Sequence, residues 1–310
     1  MTKERALIAE TCDRLFAEQL DENVFAAAET GTFPQALWDA ITENGLDRIL
    51  VPESDGGSGL GWEDAQVVLE AAGRYAAPAP LAEAIAAGWL LGCAGLEMPD
   101  GIVSLGTARD AADIEVPWGR YAAHAVVPGG DGVRCVSLDG AEITHDRNIG
   151  RDPRDRIAGL DVPAMAEDPA RAAGALARAC QMAGAVAAAL DLCVDYANAR
   201  VQFGRPIGRF QAVQQQLAAM ASEVAAAGVA ARDACRTVDA GGDIHLAAAS
   251  AKIRAGEAVT AAELAQLNAM VHTQNPRVDL KVLAVFLLAQ IRYAAIIKDP
   301  KTYSPFRWSI

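Results

Sequence analysis

The chain reads as a mainly α protein with an N-terminal helical domain, a small β unit and a C-terminal four-helix bundle. Three observations predict this. Alanine-rich runs dominate the second half, and alanine has the highest intrinsic helix propensity. Apolar residues there recur at steps of three and four, the spacing of a single helix face. Between residues 101 and 146 the texture changes to short apolar runs split by glycine and proline, as strands joined by turns require. The resulting division is 1–98 for the helical domain, 99–167 for a shortened β domain with a linker, and 168–310 for the bundle.

Each element has its own signal. Pro34 suits the first turn of a helix running to Asn44, and Gly45 suits its end. The segment PESDGGSGLGWED reads as a flexible loop, after which Trp62 to Tyr75 and Pro80 to Leu96 resume helical patterns. In the β unit, PGGDG between two apolar runs is a hairpin signal, and the charged string RNIGRDPRDR followed by DVPAMAEDPA reads as a linker. From Arg171 onward Leu176, Cys180, Ala183, Ala187, Leu190 and Val194 form one narrow stripe. Val213, Leu217, Met220, Val224, Ala227 and Ala231 form a second, and the short connection predicts that these two helices lie antiparallel. Ile253, Thr260, Leu264, Leu267 and Val271 mark a third helix, and Val282 to Ile297 a fourth.

Composition excludes several functions. With a net charge of -13, the chain repels a phosphate backbone at long range, so nucleic acid is not a general partner. A few local arginines are enough to hold a phosphate-bearing small molecule. The six cysteines are scattered, without a CxxC pair or a histidine at ligand spacing, which fits small buried hydrophobes in a reducing compartment. MTKERALIAE lacks the apolar core of a signal peptide. The longest apolar run, Val282 to Ile297, is interrupted by Gln290 and Arg292 and is shorter than a membrane span. A cytoplasmic protein is expected. The four histidines show no metal spacing, GGSGLG lacks the register of a nucleotide loop, and Ser104 and Ser137 stand outside any nucleophile elbow.

The densest chemistry lies at the crossing between the first two bundle helices, RVQFGRPIGRFQ. Arg200 falls at a helix end, where a cation complements the dipole. It is followed by Gln202, Phe203, Gly204, Pro206, Ile207, Phe210 and Gln211, far more than a plain connector needs. This segment resembles the signature of the acyl-CoA dehydrogenase family, in which Arg-x-x-Phe-Gly and a downstream Phe-Gln or His-Gln touch FAD. LVPESDGGSGLGWED is similar to the family's proline-glutamate and glycine loop, and the order of helical domain, β domain and bundle is also similar.

The resemblance implies a flavin-dependent oxidoreductase of lipid metabolism that desaturates an acyl-CoA thioester. It implies that the Arg200 guanidinium pairs with the FAD pyrophosphate, that Gln202, Phe203, Ile207, Phe210 and Gln211 line the same cofactor, and that Gln266 contributes on the adenine side. It also implies an oligomer, because this segment in the family reaches the flavin of a neighbouring subunit. Three departures shape the expectation. Where the family has Gln-x-x-Gly-Gly-x-Gly, this chain reads Gln266-Leu-Asn-Ala-Met-Val-His272. The β unit lacks the Thr-Glu-Pro and Trp-x-Thr segments, and Trp118 sits in an unrelated context that marks it as a packing residue. At the two places where the family carries its catalytic glutamate, GALARACQMAGA has no acid and HTQNPRVDLK has only Asp279, which reads as a helix N-cap. Asp168 likewise reads as a helix start. The catalytic base is therefore unassigned, and the departures favour a mixed oligomer in which a second dehydrogenase chain supplies it. The alternatives are a catalytically inactive helical scaffold or regulatory subunit of the same fold, and a homo-oligomer that binds another flat or phosphate-bearing ligand.

Overall fold

The structure, a computed structural model, describes residues 2–108, 113–129, 132–148, 152–160, 162 and 168–271, with side chains to residue 260. Five helices open it: α1 (Lys3–Gln19), α2 (Glu22–Thr30), α3 (Gln35–Glu43), α4 (Trp62–Arg74) and α5 (Leu81–Cys93). Their ends follow local chemistry. Asp21 accepts the Asn23 and Val24 amides to start α2, and Gly31 with φ of 100° ends it. α3 spans the helix predicted between Pro34 and Gly45.

The loop before α4 differs from the flexible segment that its glycines predict. The Ser58, Gly59 and Leu60 amides donate to the Arg48, Val51 and Ile49 carbonyls at 3.2, 2.8 and 3.1 Å. Gly57 lies so close to Val51 that a Cβ there would overlap its backbone. In this loop the glycines permit close approach rather than mobility.

The β unit holds β1 (Val103–Leu105), β2 (Thr107–Ala108), β3 (Asp113–Pro117), β4 (His124–Gly129), β5 (Gly132–Ser137), β6 (Ile143–Thr144) and β7 (Arg154–Ala158). One sheet runs in the order β1-β4-β5, with β1 parallel to β4, and the other in the order β2-β3-β7-β6. The predicted PGGDG hairpin is the β4–β5 pair, in which Gly129 faces Gly132. The expected linker is overturned in part, because β7 lies inside RNIGRDPRDR and its continuation. Its charges are tolerated because each finds a partner. Asp155, fully buried, accepts from Arg120 Nη2 at 2.5 Å and from the Arg120 amide at 2.7 Å, while Arg154 reaches Glu115 on β3 at 3.4 Å. Trp118 packs edge-on against Phe33 at 5.9 Å, and the Tyr121 hydroxyl donates to the Gly31 carbonyl at 2.5 Å, so the β unit is fastened to α2.

Three further helices follow: α6 (Pro169–Ala199), α7 (Gln211–Asp239) and α8 (Ile244–Val271). α6 and α7 lie antiparallel, with Cys180 Sγ 3.6 Å from Cys235 Sγ at one end and Ala189 packed with Met220 further along. α6 is not the one-stripe helix that its periodicity predicts. It is buried on nearly all sides from Ala170 to Ala189, because α4, α5, α7 and α8 all pack against it. It crosses α4 at two glycines, where a Cβ on Gly73 would overlap the Gln181 carbonyl and one on Gly184 would overlap that of Glu70. α6 is also the one described helix long and apolar enough to cross a membrane, and most of it is buried inside the protein.

The predicted stripe of α7 holds through Met220, Ala227 and Ala231. That of α8 does not. Ile253 is 60% exposed, and the buried face is Ala248, Ala251, Ala255, Ala258 and Val259. The small residues pack there because α8 lies close against both α6 and α7. Asp239, at the end of α7, accepts the Trp62 and Glu63 amides at 2.8 and 2.9 Å and thereby caps α4 from a distant part of the chain. One apolar core runs from Cys12 through α4, α5 and α6 to Val259. The predicted fourth helix, Val282 to Ile297, lies outside the described residues, as do Asp279 and the C-terminal tail.

Candidate functional site

α6 ends at Ala199, and Arg200 caps it with its amide donated to the Tyr196 carbonyl at 2.9 Å. The crossing to α7 is a tight hairpin: β8 (Val201–Gln202) pairs antiparallel with β9 (Arg205–Pro206), with Val201 opposite Pro206 and Gln202 opposite Arg205. Its two-residue turn has φ of 51° at Phe203 and 78° at Gly204, the hand that matches strand twist. Glycine accepts that conformation without cost, whereas phenylalanine is strained there. The strained residue is also 91% exposed, so the hairpin holds a large aromatic ring outward in solvent.

Beneath Phe203 the hairpin is closed by its own side chains. The Phe210 ring meets Phe203 edge-on at 6.1 Å and carries the Arg205 guanidinium 4.2 Å above its centroid. Ile207 is buried, Gln202 and Arg200 are half-buried, and Gln211 is exposed at the first turn of α7. The crossing thus collects six of the seven residues expected to line a cofactor: Arg200, Gln202, Phe203, Ile207, Phe210 and Gln211. The seventh, Gln266, lies on α8 beyond the residues whose side chains are described. The backbone of α8 continues through Gln266 to Val271 as unbroken helix, so no glycine turn interrupts it. Arg200 Nε is buried and makes no hydrogen bond among the described residues. A buried guanidinium N–H without an acceptor is costly, and a phosphate oxygen is the acceptor that such a group suits. On that observation the crossing fits a dinucleotide.

A second polar cluster was not foreseen from sequence. Glu83 on α5, Arg178 and Gln181 on α6, and Lys252 on α8 are each at most 5% exposed. Arg178 Nη2 donates to Glu83 Oε1, and Arg178 Nη1 donates to Gln181 Oε1 at 2.5 Å. Burial, with Arg178 and Arg154 nearby, pushes the Lys252 ammonium down to about 7. The cluster lies where α5, α6, α8 and β7 converge. The one local signal is a pair of polar residues three apart inside an alanine run, ARACQMA. Their partners come from far along the chain, so sequence spacing cannot reveal them. Asp168 instead caps α6, accepting the Ala170 and Arg171 amides at 2.9 and 3.2 Å, as its position predicts.

A cleft of about 480 Å³ between α1, α4, α6 and α7 is lined by Arg5, Glu63, Glu70, Arg74 and Arg232. Its charges are largely satisfied internally or at its rim, through Arg5 with Glu63 and Asp64, and Arg74 with Asp191. Among the described residues no three His, Cys, Asp or Glu side chains converge as a metal set.

Two families of domains match this chain: "Acyl-CoA dehydrogenase, N-terminal domain" over residues 2–98 and "Acyl-CoA dehydrogenase, C-terminal domain" over residues 172–272. Acyl-CoA dehydrogenase IpdE2 of Mycobacterium tuberculosis is 30% identical over 275 residues, covering 84% of this chain and 83% of its own. The IpdE2 of Mycolicibacterium smegmatis is 30% identical over 279 residues, covering 84% of each. Among solved structures, the ChsE4-ChsE5 complex from Mycobacterium tuberculosis is similar in fold, with a TM-score of 0.79, 22% identity, and 96% and 94% of the two chains covered.

Proposed function

This chain belongs to the acyl-CoA dehydrogenase family, and we propose that it works as one cytoplasmic subunit of a mixed oligomer that desaturates an acyl-CoA thioester between its α and β carbons. The cofactor of this reading is FAD, which when bound supplies the hydride acceptor. The observation that carries the reading is the α6–α7 hairpin, with a buried Arg200 Nε at its base that has no partner among the described residues and an exposed, strained Phe203 at its tip. Arg200 holds the pyrophosphate, and Gln202, Phe203, Ile207, Phe210 and Gln211 border the same ligand. Gln266 serves the adenine side. The unit boundaries that go with this reading are 1–98, 99–167 and 168–310.

Removing the α proton needs a carboxylate within hydrogen-bond reach of the substrate. Of the two stretches where the family carries it, the buried one on α6 presents Arg178 and Gln181 instead, and the other, with Asp279, lies outside the described residues. In this reading a second dehydrogenase chain supplies the base, and this chain supplies binding and orientation. The fold similarity to a two-protein complex supports that arrangement. The test is to purify this chain alone and co-expressed with a longer acyl-CoA dehydrogenase chain. A yellow complex that reduces an electron acceptor, where neither chain alone does so, is the expected result. A complex that binds no flavin and turns over no thioester selects the inactive scaffold instead.

A further inference from the structure

The Glu83–Arg178–Gln181 cluster is incomplete as it stands. Arg178 binds one oxygen of Glu83 and the carbonyl oxygen of Gln181, one through each terminal nitrogen of its guanidinium. The remaining atoms of those two groups, Glu83 Oε2 and Gln181 Nε2, are buried and make no hydrogen bond among the described residues. One is an acceptor that lacks a donor, the other a donor that lacks an acceptor. Both belong to side chains less than 5% exposed. Leaving each of them bare costs about 1–3 kcal/mol, so buried polar groups of this kind have a partner.

The chemistry of that partner is narrow. A hydrocarbon satisfies neither atom. A ketone accepts from Gln181 and gives Glu83 nothing, and a carboxylate is repelled by Glu83. Of the oxygen groups, the O–H answers both, donating to the carboxylate and accepting from the amide. Water has this chemistry, and so has an alcohol.

We propose that Glu83 and Gln181 bracket one hydroxyl oxygen, and that when substrate is bound this oxygen is a hydroxyl substituent on the acyl group. The proposal rests on the acyl-CoA reading above and deepens it by naming a substrate class. Its location supports it, because junctions between structural units are where ligand sites form, and α5, α6, α8 and β7 meet here. Arg178 is then a positioning residue, holding the carboxylate and the amide at a fixed separation from both sides of one planar fork.

The experiment measures binding of octanoyl-CoA and of its mid-chain and ω-hydroxy analogues to the full chain loaded with FAD, alone and in complex with its second chain. The expected result is about tenfold tighter binding of one hydroxy analogue than of octanoyl-CoA. Gln181→Met should erase that preference, lowering affinity for the hydroxy analogue far more than for the plain thioester. A general loss of packing moves both alike. Should Gln181→Met fail to fold by circular dichroism, Gln181→Glu keeps an acceptor for Arg178 while removing the amide donor, and it should erase the preference equally. Equal binding of all the thioesters means that the bracketed oxygen is water only; the substrate proposal then falls while the acyl-CoA reading stands. If no thioester binds in either form, the acyl-CoA reading itself is overturned and this proposal goes with it.

Discussion

Arg200 Nε and the Lys252 ammonium are two buried polar groups with opposite needs. In the proposed function Arg200 holds an anion, and a charge-assisted bond contributes about 1.5–3 kcal/mol. Arg200→Ala should therefore lower flavin retention by about tenfold or more, read from the absorbance of the purified protein. Lys252 is already crowded by cations, and its pKa falls from the ordinary lysine value of 10.5 to about 7 on folding. Between those two values the unfolded chain binds the extra proton, so this residue makes stability rise with pH across that window, by at most about 1.4 kcal/mol per unit. Below about 7 its penalty is constant and full. Lys252→Met should flatten the pH dependence of urea unfolding above neutrality and stabilise the protein below it; an unchanged slope would show that the ammonium is solvated. The place of Arg200 at a helix end was legible in the sequence, because a cation followed by an aromatic, glycine-bearing turn is a local pattern. That of Lys252 was not, because its environment is made by Arg178 and Arg154, which approach from other elements.

The elements repeat this division. Helix starts at Pro34 and Asp168 could be read directly, because a proline's fixed φ and an aspartate's cap both act within their own turn. β7 was hidden, because the pairing of Asp155 with Arg120 turns a charged string into a buried strand. The faces of α6 and α8 were hidden by alanine, which fits any surface and so carries little periodicity. The start of α4 at Trp62 was legible in its pattern, and Asp64 accepts from the Gly61 amide within the same turn, but the second cap, Asp239 at the end of α7, comes from far along the chain and was hidden. Asp239→Ala should cost about 1–2 kcal/mol, measured by urea unfolding. Asp239→Asn should cost less, because its side-chain oxygen still accepts an amide.

At the scale of the molecule the helices and the inner strands share one apolar core, and the β unit adds a second one of its own around Ile114, Val127 and Ile157. Leu192, Val194, Val201 and Phe203, all exposed, follow one another along the end of α6 and into the hairpin, and Phe203 at 91% is the most exposed large apolar side chain among the described residues. Phe203→Ser should shift the protein toward smaller species in light scattering with little change in helical circular dichroism; unaltered mass would remove the hairpin from the subunit contact. The crossing at Gly73 and Gly184 has one more consequence. Two main chains touching with no side chain between them form a seam that cannot slide or rotate without collision, so the N-terminal helices and the bundle travel as one rigid frame. Any breathing that admits a bulky guest must then hinge elsewhere, in the strands or at the hairpin.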